Sequence, residues 1–313
     1  MTDINNISGA LNLNKPAGCS SHDMVYFARR LFGIKKIGHT GTLDPMATGV
    51  LPILVGSATK LSDLLANHDK TYRAVLKLGI TTDTMDTTGN IIKTAGDSPL
   101  PCFDEVKKSA ESFVGEIEQI PPVYSAIKVN GRKLYEYARD GIEITPEPRK
   151  VNIYSVTCEN SGNQGEYILN ISCSKGTYIR SVCHDIGEKL KCGGVMAALE
   201  RTRTGDFDIA DSFSPEILEK YKTEQGAEYL QSLLISCEDI LKSVTYKKIK
   251  LSEFYTKLAK NGAEIYLKKL YCDVWDFYVG AKVLMYDCNN RLLALGEVRG
   301  YVDGIACKPV IFV

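Results

Sequence analysis

Asp44 is the one carboxylate in Gly38-His39-Thr40-Gly41-Thr42-Leu43-Asp44-Pro45-Met46-Ala47-Thr48-Gly49, a run of small, turn-forming residues that begins beside a histidine. Pro45 disfavours the α region for Asp44 and pushes it toward an extended conformation. Apolar Val50, Leu51, Ile53, Leu54 and Val55 follow, so the loop is expected to hang from a buried element. The three glycines are expected to permit positive φ or the close approach of another backbone. A carboxylate on a rigid, anchored loop suits a nucleophile or an acid–base group. Local chemistry leaves the ordinary Asp-Pro turn open as the alternative.

A second polar cluster is Ser174-Lys175-Gly176-Thr177-Tyr178-Ile179-Arg180. Arg180 opens an amphipathic helix after a strand and a Gly turn. A guanidinium there suits bidentate pairing with a carboxylate, or a phosphate contact. A plain surface ion pair fits equally well. Other chemistries are excluded. The chain has no G-x-x-x-x-G-K-[ST] and no G-x-S-x-G. Ser21-His22-Asp23 are sequence neighbours, which do not face one another on a helix, so they form no triad. Its four histidines, His22, His39, His68 and His184, include no H-x-E paired with P-C-x-x-C, which removes zinc deaminase chemistry.

Several elements must position these groups. Leu11 to Pro16 reads as a short strand closed by a Pro-x-Gly turn. Ser20 or Ser21 caps a helix that buries Met24, Phe27, Ala28, Leu31 and Phe32. Tyr72 to Leu78 is a strand, and a polar Thr/Asp loop runs from Thr81 to Gly89. Val106, Ala110, Phe113, Val114 and Ile117 keep helical spacing. Pro121-Pro122-Val123-Tyr124-Ser125-Ala126 leads into Lys128, Arg132, Lys133, Tyr135, Tyr137 and Arg139. Two readings fit that basic, aromatic stretch: a mobile nucleic-acid-binding element, or a solvated hairpin and helix. Strands are expected at Val151–Cys158 and Tyr167–Ser174, and a helix at Ile179–Leu190. Pro215 after Ser214 marks a helix start. From Tyr246 the pattern changes to short strands and turns, including Val283–Tyr286 and Leu292–Leu295.

The length of 313 residues suggests two domains, with a boundary expected between 245 and 246. There is no 18-residue apolar run and hence no helical membrane span. Met1-Thr2-Asp3-Ile4-Asn5-Asn6 lacks the charge and apolar core of a signal peptide. Ten cysteines without a C-x-x-C pair point to a reducing cytoplasm, with nearly all of them small buried hydrophobes. Net charge is zero but unevenly placed. Residues 206–245 carry nine acids and three bases and read as an acidic, helical connecting segment. Residues 246–313 carry eleven bases and seven acids. A basic C-terminal domain is compatible with a polyanionic partner.

Taken in order, Leu13-Asn14-Lys15-Pro16-Ala17-Gly18, the Asp44 loop, Lys70-Thr71-Tyr72, the 121–145 segment and Ser174–Arg180 resemble the TruB family of bacterial tRNA pseudouridine-55 synthases. The resemblance spans about residues 8–205. The last 68 residues resemble a PUA domain more loosely, through Leu258-Ala259-Lys260-Asn261-Gly262 and Leu293-Ala294-Leu295-Gly296-Glu297-Val298. The resemblance implies an α+β fold: a catalytic domain over 1–245 with a mixed or antiparallel sheet, and a small β-rich PUA-like domain over 246–313. It implies isomerisation of uridine-55 in the T loop of tRNA, by flipping the base and exchanging a C1′–N1 for a C1′–C5 glycosidic bond. Neither cofactor nor metal is needed, and the chain is expected to act as a cytoplasmic monomer on the T arm and acceptor stem. A tRNA-folding chaperone and a guide-RNA-dependent synthase subunit are the alternatives.

The resemblance also implies residue roles. Asp44 is the catalytic aspartate: it attacks the sugar, adds to the base or assists elimination. Arg180 pairs with it and holds it ionised, since a nearby opposite charge ordinarily lowers a carboxylate pKa by about 1–3. Tyr72 stacks on the uracil and is the candidate for removing the C5 proton. Stacking is worth about 1–3 kcal/mol, comparable with the few kcal/mol (about) that unstacking a base costs. Selection of the site must then come from T-loop shape. His39 fills the place of the flipped base, with the loop glycines letting the nucleotide approach the backbone beside Asp44. Tyr178 and Leu199 line the uridine pocket. Lys15 is placed among the substrate-binding residues, and with Pro16 as support for the loop. Lys128, Arg132, Lys133 and Arg139, on the thumb-like segment, contact phosphates, and the thumb is expected to be mobile without RNA. Glu200 departs from the pattern, standing where a basic residue is common.

Overall fold

Alternation builds the central sheet. In Lys70–Leu78 every second side chain is buried, from Lys70 through Tyr72, Ala74 and Leu76 to Leu78. The same period runs through Glu166–Cys173. The computed structural model describes residues 7–313 apart from 97, 126, 143, 246 and 271–276. Ala126 of the thumb-like segment, Cys272 and Tyr246 at the expected domain boundary therefore lie outside the described residues.

The strands are β1 (Gly9–Lys15), β2 (Ile37–His39), β3 (Thr48–Val55), β4 (Lys70–Leu78), β5 (Ile80–Thr82), β6 (Ile91–Thr94), β7 (Gly115–Gln119), β8 (Lys128–Val129), β9 (Arg132–Lys133), β10 (Arg149–Asn160), β11 (Glu166–Cys173), β12 (Gly194–Thr204), β13 (Phe207–Asp208), β14 (Lys248–Lys250), β15 (Ile265–Tyr266), β16 (Lys282–Tyr286), β17 (Leu292–Tyr301) and β18 (Gly304–Phe312). The helices are α1 (Ser21–Phe32), α2 (Ser62–Ala66), α3 (Phe103–Glu111), α4 (Leu134–Arg139), α5 (Ile179–Lys189), α6 (Pro215–Ser232), α7 (Cys237–Lys242) and α8 (Glu253–Lys260). Among the described residues no helix is long and apolar enough to cross a membrane.

The main sheet has the order β1-β3-β12-β4-β11-β10-β7, with β2 beside β3 and β13 beside β12. Its pairings are antiparallel except β3 with β12, so the sheet is mixed. α1, α3 and α5 lie against one face, and their apolar sides share a core with Leu76, Leu169, Ile171 and Ile153. α1 begins on a capping box between Ser20 and Asp23 and ends at Gly33, in the left-handed region. A second sheet, β14-β16-β17-β18-β15, forms the β-rich C-terminal domain around Val283, Met285, Ala294 and Val298. The two sheets meet through a cluster that includes Val50, Leu54, Leu61, Leu241, Leu284 and Leu295.

Three expectations change. The helical spacing from Val106 does not continue to Ile117: α3 stops at Glu111, Ser112 caps it, and Gly115 at φ 114° turns the chain into β7. The acidic segment is not wholly a helical connection, because Phe207 and Asp208 pair with Thr204 and Arg203 in the main sheet. The burial expected of the cysteines is only partly met: Cys158, Cys173, Cys183, Cys237 and Cys307 are buried, whereas Cys102 is exposed.

The parallel pairing of β3 with β12 sets Gly49 opposite Arg201. Gly49 has φ 102°, and a Cβ there would collide with the Arg201 backbone. Gly38 and Gly41 have ordinary room for one. So of the three loop glycines only Gly49 is demanded by a close approach, and what approaches is strand β12. Gly49→Ala is expected to cost at least about 2 kcal/mol, from backbone strain and the clash together. Thermal unfolding would show it as a drop of several degrees in Tm, and an unchanged Tm would contradict it.

Candidate active site

The Asp44 loop joins β2 to β3 and is held from below. The Leu43 amide donates to Ser21 Oγ at 2.8 Å, and that hydroxyl donates back to the Leu43 carbonyl at 3.1 Å. The first residue of α1 thus fixes the residue before Asp44. Lys15 is fully buried and donates to the carbonyls of Cys19, Pro16 and Pro45 at 2.7, 2.8 and 3.2 Å. Its ammonium is spent on three carbonyls and presents no surface to a substrate. Of the two places expected for Lys15, support of the loop is the one its geometry fits, and the substrate-binding one is corrected.

Arg180 lies in the first turn of α5, 5% exposed. Its Nε is 2.9 Å from Asp44 Oδ2 and its Nη2 donates to Asp44 Oδ1 at 3.2 Å, a side-on fork. The other bonds reach further. Nη1 donates to the Thr84 carbonyl at 3.2 Å, and Nη2 donates to the Tyr124 carbonyl at 2.9 Å. Asp86 Oδ2 stands 3.9 Å from Nη1. Asp86 is itself fixed, since its Oδ1 accepts from Thr88 Oγ1 at 2.6 Å, Thr84 Oγ1 at 2.8 Å and the Thr88 amide at 2.9 Å. One guanidinium therefore ties the Asp44 loop to the β5–β6 hairpin and to the start of the thumb-like segment.

The Asp44 side chain remains 33% exposed. Its pKa is raised, not depressed: burial pushes it up, the Arg180 guanidinium pulls it down, and the Asp86 carboxylate pushes it up again. The expectation that Arg180 alone would hold Asp44 below the ordinary range is corrected. Desolvation wins because the carboxyl sits at the bottom of a cleft beside a second carboxylate.

That cleft has a volume of about 780 Å³ and is walled by Asp44, Tyr72, Tyr178, Arg180, Leu199 and Arg201. Tyr72 comes from β4 and is 8% exposed; burial raises its phenol pKa, and Arg201 opposes that rise. Tyr178 precedes α5 and is gripped by Gln119: its amide donates to Oε1 at 2.7 Å, and Nε2 donates to its carbonyl at 2.9 Å. Tyr124, Ser125, Tyr135 and Arg139 of the thumb-like segment line the same cleft. His39 stands just before the cleft wall, with Nδ1 accepting from the Gly41 amide at 3.3 Å. Burial first, then Arg201, lowers its pKa and so disfavours the charged imidazole.

The thumb-like segment forms a two-residue hairpin, β8 and β9, followed by α4, which buries Leu134. Arg132 pairs with Asp140 and Glu136 and lies over the Tyr137 ring at 4.7 Å. Lys133 Nζ donates to Tyr135 Oη at 3.3 Å, and Arg139 lies over the Tyr135 ring at 5.5 Å. Lys128 is exposed on β8.

Three residues escaped the reading of the sequence: Arg201, Asp86 and Gln119. Arg201 answers the oddity at Glu200. In β12 the side chains alternate, so Leu199 and Arg201 turn to the buried face and Glu200 away from it. Glu200 sits opposite Arg73, while Arg201 sits opposite Tyr72. The cation of the cleft is supplied one position later than the motif suggests. The signal for it was the two-residue period of Leu199-Glu200-Arg201.

Comparisons with known proteins agree with one another. The family model for the TruB family pseudouridylate synthase N-terminal domain matches residues 29–179. That for the tRNA pseudouridylate synthase B C-terminal domain matches 180–242. A protein of Clostridium tetani named tRNA pseudouridine synthase B is 45% identical over 84% of this chain and 88% of its own length. One of the same name from Clostridium perfringens strain 13 is 42% identical over 93% and 95%. Among solved structures, a chain from a Cbf5-Nop10-Gar1 complex superposes with a TM-score of 0.69 at 25% identity, over 96% of this chain and 84% of that one. With its matched domains in order along a mixed sheet, and relatives aligned almost end to end, this chain belongs to the TruB family of pseudouridylate synthases.

Proposed function

We propose that this protein is a tRNA pseudouridine synthase, an isomerase that converts uridine-55 in the T loop of tRNA to pseudouridine. The observation that carries this reading is the side-on Arg180–Asp44 pair at the base of a cleft faced by Tyr72. The relatives named for this activity add to it. Asp44 acts in its ionised form, at the sugar C1′ or on the base, as the C1′–N1 bond breaks and C1′–C5 forms. The base turns within the cleft, stacked on Tyr72 and bounded by Tyr178 and Leu199. In the last step the C5 proton leaves toward the Tyr72 hydroxyl. His39, at the start of the loop, fills the space that the flipped nucleotide leaves in the RNA.

The T arm is placed over the cleft mouth and the thumb, with Lys128, Arg132, Lys133 and Arg139 toward phosphates. The chain divides near residue 245, and the PUA-like domain beyond receives the acceptor stem. The protein works as a monomer in the cytoplasm. The guide-RNA alternative has fold similarity on its side, at 23–25% identity. The tRNA synthases align at 42–45%. A folding chaperone has no use for a carboxylate forked by a buried arginine.

The test is release of tritium from tRNA transcripts labelled at uridine C5. Stoichiometric release at one site per tRNA is expected, and no release would refute the reading. Lys133→Ala is expected to weaken tRNA binding and to lower the slope of log K against log salt by about one. A titration with an unchanged slope would show that Lys133 meets no phosphate.

A further inference from the structure

Arg201 is 1% exposed, and among the described residues no carboxylate pairs with its guanidinium. Its Nε donates to the Val50 carbonyl at 2.7 Å, and its Nη2 donates to the Gly41 carbonyl at 3.2 Å. Those two carbonyls flank the loop that carries Asp44. The same guanidinium belongs to the residue directly across from Tyr72 on β4, and the two side chains wall the same cleft. The planar fork is rigid, so groups bonded to its different nitrogens are held at a fixed separation. A buried cation without a counter-ion is a poor investment for stability, because an apolar side chain of similar size ordinarily serves folding as well or better. Its presence calls for another reason.

We propose that Arg201 is a positioning residue, one guanidinium that holds both ends of the Asp44 loop in register with Tyr72, its cross-strand neighbour, in a single rigid frame. This rests on the reading of Asp44 and Tyr72 as the groups that work on the uridine. Within that reading the carboxylate acts at one end of the glycosidic exchange and the phenol at the other, so their separation must be kept while the base turns. Arg201 also supplies the positive charge that offsets burial at the phenol oxygen, where the C5 proton is to arrive.

The experiment compares Arg201→Met and Arg201→Lys with the parent chain. Single-turnover conversion of a tRNA transcript by Arg201→Met is expected to fall about a hundredfold or more. Its tRNA Kd should stay within about threefold and its Tm should hold or rise. Arg201→Lys should recover little, because one ammonium cannot reproduce the planar fork. In a double-mutant cycle, Tyr72→Phe should cost clearly less in the Arg201→Met background than alone. Turnover within threefold of the parent, or strictly additive effects, would overturn the proposal. Hydrogen exchange gives a readout independent of activity: Arg201→Met should speed exchange over residues 41–50 while leaving β10 and β11 unchanged. Unaltered exchange there would equally overturn it. If the parent chain converts no uridine, the proposed function falls, and the exchange result still decides whether Arg201 holds the loop.

Discussion

Asp44→Asn is expected to abolish uridine isomerisation while leaving tRNA affinity within a few-fold of the parent. The loss should reach about four orders of magnitude, the scale on which removing one member of a concerted catalytic set is felt. The asparagine keeps the volume of the side chain and one acceptor for Arg180, so the loop stays on its supports at Ser21 and Lys15. Only the negative charge is withdrawn. On the proposed reading, binding rests on the thumb-like segment, which the substitution does not touch. Single-turnover assays and filter binding on the same tRNA separate the two effects. Retained turnover would exclude Asp44 as the essential group, and parallel loss of binding would assign it to recognition instead.

Removal of Arg180 should have the next largest effect. Arg180→Met is expected to slow conversion by about 10²–10³-fold, the range for losing one preorganised charged donor in a water-poor site. It should also move the acid limb of the rate profile to higher pH. The sign follows from the forces on Asp44: burial and Asp86 raise its pKa, and the Arg180 guanidinium is the main charge that opposes them. Without the guanidinium only the smaller Lys15 charge still opposes them, so Asp44 takes up a proton at a higher pH and the working carboxylate is lost earlier on acidification. Arg180→Lys keeps a charge but not the fork, and should shift the limb less. A limb that stays in place, or moves to lower pH, would contradict this balance. The substitution also strips donors from the Thr84 and Tyr124 carbonyls. Loosening of the β5–β6 hairpin and of the thumb should therefore accompany the kinetic loss, seen as faster amide exchange near those residues.

The site as a whole is a cluster of buried charge held by neutral groups. Lys15 and Arg201 are held by carbonyls, and Asp86 by hydroxyls and an amide. Lys70, one turn of the pleat from Tyr72 and also facing the cleft, has its pKa lowered to about 8, by burial first and then by Arg201. Charges this poorly solvated are kept where they serve function at some expense of stability. The cation excess about Tyr72 also suits an anionic RNA.

The sequence made the parts of this site legible where one residue type and a local turn were enough. The Asp-Pro loop, the strand through Tyr72 and the helix opening at Arg180 are signals contained within a dozen residues each. What stayed hidden depended on contacts across the sheet. Strand β12 went unread because Gly194 to Ala198 offer little alternation and Glu200 to Thr204 are polar. Without that strand, Arg201 had no face to belong to and Glu200 looked like a departure. Asp86 sits in a Thr/Asp loop that reads only as polar, and only the fold brings it to Arg180. The end of α3 was misjudged for the opposite reason: Phe113, Val114 and Ile117 continue a helical period that the chain abandons at Gly115. The direction of the Asp44 pKa required knowing how deep the cleft is, which spacing cannot tell.

The most direct test of the central claim is to incubate the protein with an unmodified tRNA transcript and map pseudouridine along it. A single product is expected, at the uridine of the T loop, formed without added metal or cofactor and absent with Asp44→Asn. No pseudouridine at that position, or its formation by the Asp44→Asn chain, would contradict it.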